Sequence, residues 1–292
     1  MLVWIAYIDS AAASSGTGGH FNRSLIIVLS EAARCEDDDP ADSILTPELS
    51  TTISSPVSPI DAFMRMHRYS NPLYRLAWGE AYPQTELLDD LENRSVFNLI
   101  TCCSPLRFMV AQLAATNDIT PHEFHKRVAS VAKAIQKTRS AFAEILEVAR
   151  ELSIETDSNN RLVANIRNIV PIFYAIQLEF LRITEPDSPL GQGKVQRFLL
   201  KEIMNLAFQT FRYRGEDGLT RIAWPLFIAA LETDNPLDRA WIIERFEKMS
   251  ILGRHLRGAH RFIGDVVAIQ EMTMKRVNTR EMMRSRESFI LT

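Results

Sequence analysis

The sequence predicts an all-α fold, an irregular multi-helix bundle of helical hairpins behind a largely disordered N-terminal segment. Three observations predict it. From residue 60 onward apolar residues recur at three- and four-residue steps, the period of a helix with one buried face. Helix-start signals punctuate that pattern, at Thr120-Pro121 with Glu123 and at Asn235-Pro236. No stretch alternates apolar and polar residues convincingly, as a half-buried strand would. The 292 residues are enough to bury a substantial core. With 46% hydrophobic and 24% charged residues, the composition is that of an ordinary globular chain, neither membrane-embedded nor wholly disordered. A formal net charge of -3 gives no global attraction to nucleic acid. Cys35, Cys102 and Cys103 are an odd set without framework spacing, which points to a reducing compartment and no disulfide scaffold.

Residues 1–8 are apolar but lack a cationic start and are interrupted by Asp9, too short to span a membrane and a poor signal peptide. Residues 10–19 are rich in Ala, Ser and Gly. Gly16 and Gly18 could open a dinucleotide-binding loop, but Phe21 stands where a third glycine belongs, so the stretch reads as linker. The apolar run 25–29 suits a strand or a short helix equally. An acidic cluster at 36–39 and a Ser-, Thr- and Pro-rich stretch to Pro59 then read as a solvated connector. The organisation is therefore 1–59 low-complexity and disordered, 60–277 a helical domain, and 278–292 a basic tail that frays.

Within the domain, 61–69 is a short helix with Phe63, Met64 and His67 on one side, ended by Asn71-Pro72. Residues 86–115 form two helices divided at Ser104-Pro105. Thr120 and Glu123 make a capping box for a long helix, whose stripe is Phe124, Val128, Val131, Ile135, Phe142, Ile145, Ala149 and Leu152. Its near-heptad step would also suit a coiled-coil dimer, but Thr138 interrupts the seam, and an intramolecular core helix is the better reading. Pro171 kinks or splits 159–184. Residues 185–193 are a loop, 195–211 a strongly apolar helix ended by a charged turn at 212–218, and 258–277 the last amphipathic helix.

Between them lies the most informative stretch. Pro225 fits the first turn of a helix, with Leu226, Phe227, Ala230 and Leu231 on one side. Asn235 caps a second helix, Pro236 starts it and Asp238 places negative charge near its positive end. Leu237, Ala240, Trp241, Ile243 and Phe246 would form the stripe that packs it back on the first. In order, Trp224-Pro-Leu-Phe-Ile-Ala-Ala-Leu-Glu232 followed by Pro236-Leu-Asp-Arg-Ala-Trp-Ile-Ile-Glu244 resembles the signature near the C-terminal end of the fungal-specific transcription factor domain, the regulatory region of fungal zinc-cluster factors. The resemblance is close over 224–246 and looser over 60–277. It implies an all-helical regulator of RNA polymerase II transcription, located in the nucleus and acting through partner regulators, effectors or a dimer. Trp224, Pro225, Glu232, Pro236, Asp238, Arg239 and Trp241 carry it, in structural roles, with the two tryptophans locking the hairpin into the bundle. The six-cysteine cluster that reads DNA in such factors is absent from this sequence. Direct sequence-specific DNA binding is accordingly not expected. The alternative is a helical protein-interaction module or a truncated zinc-cluster factor.

Catalytic and metal chemistry find little support. His122 and His125 flank a glutamate as in a zinc protease helix, but one residue too close, and they sit beside a capping box. His255 and His260 are spaced onto different faces and read as surface polar residues. Cys102-Cys103 reads as two small buried residues. Neither a nucleophile elbow nor an acid–base pair emerges, so no cofactor, metal or enzyme activity is expected. From Arg245 to Arg286 ten Lys or Arg face four Asp or Glu. Arg254, Arg257 and Arg261 recur at helical spacing there and are the candidate phosphate contacts.

Overall fold

A computed structural model describes residues 2–37, 58–115, 119–156, 160–186, 193–273, 275–284, 286 and 288–292. All regular structure among them is helical: α1 Leu2–Ser14, α2 His20–Asp37, α3 Pro59–Trp78, α4 Gln84–Ala115, α5 Pro121–Ala141, α6 Ala143–Glu151, α7 Arg161–Thr184, α8 Lys194–Leu219, α9 Ala223–Glu232, α10 Pro236–Met249, α11 Arg254–Thr273 and α12 Thr279–Arg284, with short 3₁₀ turns between some of them. The all-α fold expected from periodicity is the fold observed.

Two helices are buried nearly all round, and the others are arranged about them. Every residue of α9 is buried, and so is each residue of α7 from Ile169 to Leu178. A helix apolar on all sides has no solvent face to offer and becomes the centre of a bundle. The α7 helix packs along α4 and α8 and against α9, while α10 and α11 cover α9 from the other side. On the far side of α4 lie α1, α3 and α5. By length and composition α4 could cross a membrane, but 72% of its apolar window is buried inside the bundle.

Burial also explains why prolines failed as breakpoints. Pro105 lies inside one continuous helix, α4, rather than dividing it as expected, and Pro171 lies inside α7, so that of the two outcomes open there the single helix is the one observed. Each interior proline costs about 3 kcal/mol of helix stability. Packing on neighbouring helices holds the axis through it. The first domain helix, expected to end at Asn71-Pro72, continues to Trp78. Gly215 is a real break: at φ 59° and ψ −151° it interrupts α8 within the expected charged turn. The long helix after Thr120 pauses at Phe142, and its Val131, Ile135, Thr138, Ala149 and Leu152 face the intramolecular core. Half the capping box forms. Thr120 Oγ1 accepts from Glu123 N–H at 3.3 Å, whereas the Glu123 side chain turns to Arg127.

The N-terminal expectation needs correction. Residues 2–14 and 20–37 are helices, and α1 packs along α4; residues 38–57 lie outside the described residues. Asp9, the residue that interrupts the N-terminal apolar run, organises the turn. Its carboxylate accepts from Gly19 N–H at 2.9 Å and from Asn22 N–H at 2.8 Å, satisfying free donors at the start of α2. The nearby glycines serve close approach, not phosphate. A Cβ on Gly18 would stand 2.5 Å from that of Ala12, and one on Gly19, at φ 95°, would strike the Phe108 ring at 2.8 Å.

The C-terminal segment likewise does not fray. Residues 279–284 form α12, beyond the helix expected to be last, and Phe289 and Leu291 are buried.

Candidate functional site

The hairpin of α9 and α10 is held by polar contacts that converge on Glu232. Its side chain has no solvent exposure, yet it pairs with Arg182 of α7 and, at 2.7 Å, with Arg276 beyond α11. Gln196 of α8 donates to the same carboxylate at 2.7 Å. Arg182 also donates to the carbonyl of Val277, and Arg276 to that of Glu185 at 2.6 Å. One buried anion thus ties three helices and the chain after α11 to a single point. A buried carboxylate is tolerable only with partners of this kind.

Trp224 reaches a second buried cation. The guanidinium of Arg107, from α4, lies 3.7 Å from its ring centroid. Arg107 further donates to Ser14 Oγ of α1 and to the carbonyl of Leu291, each at 3.0 Å. Burial pulls this guanidinium down to about 10, against the opposing pull of Tyr7 and Glu179. The α1 helix, the signature helix and the C-terminal segment therefore meet on one side chain.

Pro236 starts α10 as expected. Asn235 Oδ1 accepts from Leu237 N–H at 3.0 Å, and Asn235 Nδ2 donates to Asp238 at 2.9 Å. Asp238 is thus spent within its own turn. Arg239 does reach another helix, pairing with Glu271 of α11 at 3.2 Å, and it donates to the Thr233 carbonyl. Trp241 is only partly buried. It packs on Phe208 and Phe211, with ring centroids at 4.4 and 5.8 Å. The expected stripe is rotated: Leu237 is 79% exposed and Ala240 is exposed too, while Ile242, Arg245, Phe246 and Met249 face inward. Turning the helix this way buries Arg245, which ion-pairs with Glu216 at 3.0 Å and lies 4.6 Å from the Phe211 ring.

Glu179 on α7 interacts with Arg107, Arg182 and Arg280, and its Oε2 accepts no hydrogen bond among the described residues. Burial outweighs those three cations and raises its carboxyl to about 7 from 4.5. Between these values the native chain binds more proton than the unfolded chain. The contribution of this group to stability therefore falls as pH rises through the window, by about 3 kcal/mol in all. Glu179→Gln should flatten the decline of the urea midpoint between about pH 5 and pH 8. An unchanged slope would assign that decline to other groups.

The three candidate phosphate contacts do come together. Arg254, Arg257 and Arg261 line one wall of a cleft of about 340 Å³ with Arg286, and Gly258, Phe262 and Phe289 complete its lining. Phe289 packs against Phe262 at 5.6 Å and against Phe227 of α9 at 5.5 Å. His255, read as a surface residue, instead accepts the Ile290 N–H on Nδ1 at 3.2 Å, holding the segment that supplies Phe289. His260 stays partly exposed on α11. His125 Nδ1 lies 2.6 Å from the Pro121 carbonyl, an ordinary helix contact, and His122 is exposed. Among the described residues no His, Cys, Asp and Glu group could hold a metal. Burial drives the Cys102 thiol up to about 12 and that of Cys103 well above its ordinary value, so neither is a ready nucleophile.

Arg107, Glu179, Arg182 and Phe289 were not singled out by sequence, and Arg276 counted there only as one of the scattered C-terminal charges. The first three carried a signal, a charge inside an otherwise apolar helical run. Comparison with known proteins finds no match among family models, curated proteins or solved structures.

Proposed function

We propose that the chain is a helical transcription-regulatory domain of the fungal zinc-cluster type, acting in the nucleus through partner or effector contacts, with DNA reading done elsewhere than in these residues. What supports this reading is how the motif residues are used. Trp224 and Glu232 are the points at which α1, α4, α7, α8 and the C-terminal segment are joined, so a sequence preserving that order preserves a hub and not a surface. A hub of this kind suits a domain that passes a binding event from one face to another.

The full chain fused to a borrowed DNA-binding domain should change the output of a reporter carrying the matching site by several-fold, in either direction. A fusion that is folded by circular dichroism and occupies its site, yet leaves output at the level of the DNA-binding domain alone, would reject the reading.

One observation favours the alternative of a plain protein-interaction module. The outer faces of α1 and α2 present Trp4 at 69% exposure, with Ile5, Ile8, Ile27 and Val28 also exposed. Apolar faces of this sort mark partner contacts. The two readings separate in the reporter assay, because a module without a transcriptional role changes nothing there.

A further inference from the structure

We propose that the cleft between α11 and the C-terminal segment is a binding site for a phosphate monoester. Arg254, Arg257 and Arg261 stand at positions i, i+3 and i+7 of α11, which brings them to one face, and Arg286 closes the space from the chain beyond α12. Arg286 is neutralised by Asp265. The other three arginines have no acidic partner among the described residues. Two of them lie in the first turn of a helix, where the backbone dipole already presents positive charge. Three exposed guanidiniums without an acidic partner leave one hollow positive, and an anion seated among them is attracted by all three and by the helix end.

The chemistry selects the anion. A guanidinium is a planar fork whose paired donors match two oxygens of a phosphate. A phosphate monoester carries close to two negative charges near neutrality and three terminal oxygens, enough to engage more than one fork. A single carboxylate would leave most of the positive charge unanswered. The fourth oxygen carries the ester group, for which Phe262 and Phe289 offer a narrow apolar floor. That floor is fixed in place. Phe289 packs with Phe227 and Phe262, and Gly258 leaves room for it, since a Cβ there would stand 3.3 Å from that of Phe289. The volume lies at the small end of the range of small-molecule sites. Because Phe227 belongs to α9, an occupant of the cleft rests one ring away from the helix that carries Trp224. The assignment stands on the cleft alone and does not need the chain to regulate transcription.

The test uses the full chain and calorimetric titration with phenyl phosphate, inorganic phosphate and benzoate, together with sedimentation against vesicles containing phosphatidic acid or phosphatidylserine. Saturable binding of phenyl phosphate, tighter than that of benzoate, is expected. Arg257→Ala and Arg261→Ala should each weaken it about 10- to 100-fold, the range for losing one charged hydrogen-bonding partner. Arg94→Ala, an exposed change on α4, should leave it unaltered. Arg257→Lys, which keeps the charge and loses the fork, should recover only part of the loss. Binding to phosphatidic acid vesicles without binding to soluble esters would make the ligand a lipid headgroup of the same chemistry and still support the site. The proposal is overturned by absence of saturable binding in both formats, by equal binding to both kinds of vesicle with none to soluble esters, or by binding that survives the Arg257→Ala, Arg261→Ala double change.

Discussion

Replacing Glu232 by alanine should lower the free energy of unfolding by about 3–5 kcal/mol, the cost of stranding buried charges when one partner of an ion pair is removed. The carboxylate is wholly buried, and the Arg182 and Arg276 side chains that it neutralises are 10% and 5% exposed. Without it two guanidiniums share the interior with no anion, and Gln196 loses its acceptor. Glu232→Gln should be nearly as damaging, because an amide keeps the shape and drops the charge. The informative control is Glu232→Gln combined with Arg182→Met and Arg276→Met. With both arginines apolar and the carboxylate replaced by a neutral amide that still offers Gln196 an acceptor, no charge is left buried, so the triple variant should be more stable than Glu232→Ala alone. Urea denaturation at constant m-value measures all of these. A Glu232→Ala variant within about 1 kcal/mol of the parent would mean that water reaches both arginines and that the clamp contributes little.

How far the sequence announces this structure depends on which physical force sets each feature. Helix identity was legible wherever one face was apolar and an end was capped, as at Thr120-Pro121 and Asn235-Pro236, because both signals are local. Pro105 misled, since its cost is local while the packing that offsets it comes from helices distant in sequence, and Pro171 left a single or a divided helix open for the same reason. The N-terminal helices were missed for a related reason. The apolar runs 1–8 and 25–29 are too short for periodicity to decide their conformation, and their order rests on Asp9 bridging a glycine turn and on α1 lying along α4. In α10 the turn was placed correctly but the buried stripe was not. An arginine, Arg245, occupies an inward position that apolar periodicity assigns to its neighbours. At the candidate site, helical spacing sufficed to pick out Arg254, Arg257 and Arg261. It could not show that Arg286 and Phe289 return to meet them, because that contact is made by a segment that reads as an exposed basic tail.

Trp224→Ala should destabilise the protein by about 3–5 kcal/mol, the usual cost of emptying a buried aromatic site. Trp241→Ala should cost about 2 kcal/mol, because its ring keeps part of its surface in solvent. The sequence gives no reason to rank the two, since both fall at helix positions of the same motif. The structure does, through Arg107. With the Trp224 ring removed, a fully buried guanidinium loses an attraction worth about 2 kcal/mol when desolvated and faces a cavity. Trp224→Phe, which keeps an aromatic face, should therefore recover much of the loss. Pairing each Trp224 change with Arg107→Met separates packing from charge. If the stack matters as a pair, the double-mutant cycle should return a coupling of about 1–2 kcal/mol. Arg107→Met also withdraws a cation from Glu179, so it should push that carboxyl further above 7 and extend the pH window over which stability declines. A coupling near zero, or a greater loss for Trp241→Ala than for Trp224→Ala, would shift the organising contact from the Arg107–Trp224 stack to the Phe208–Trp241 pair.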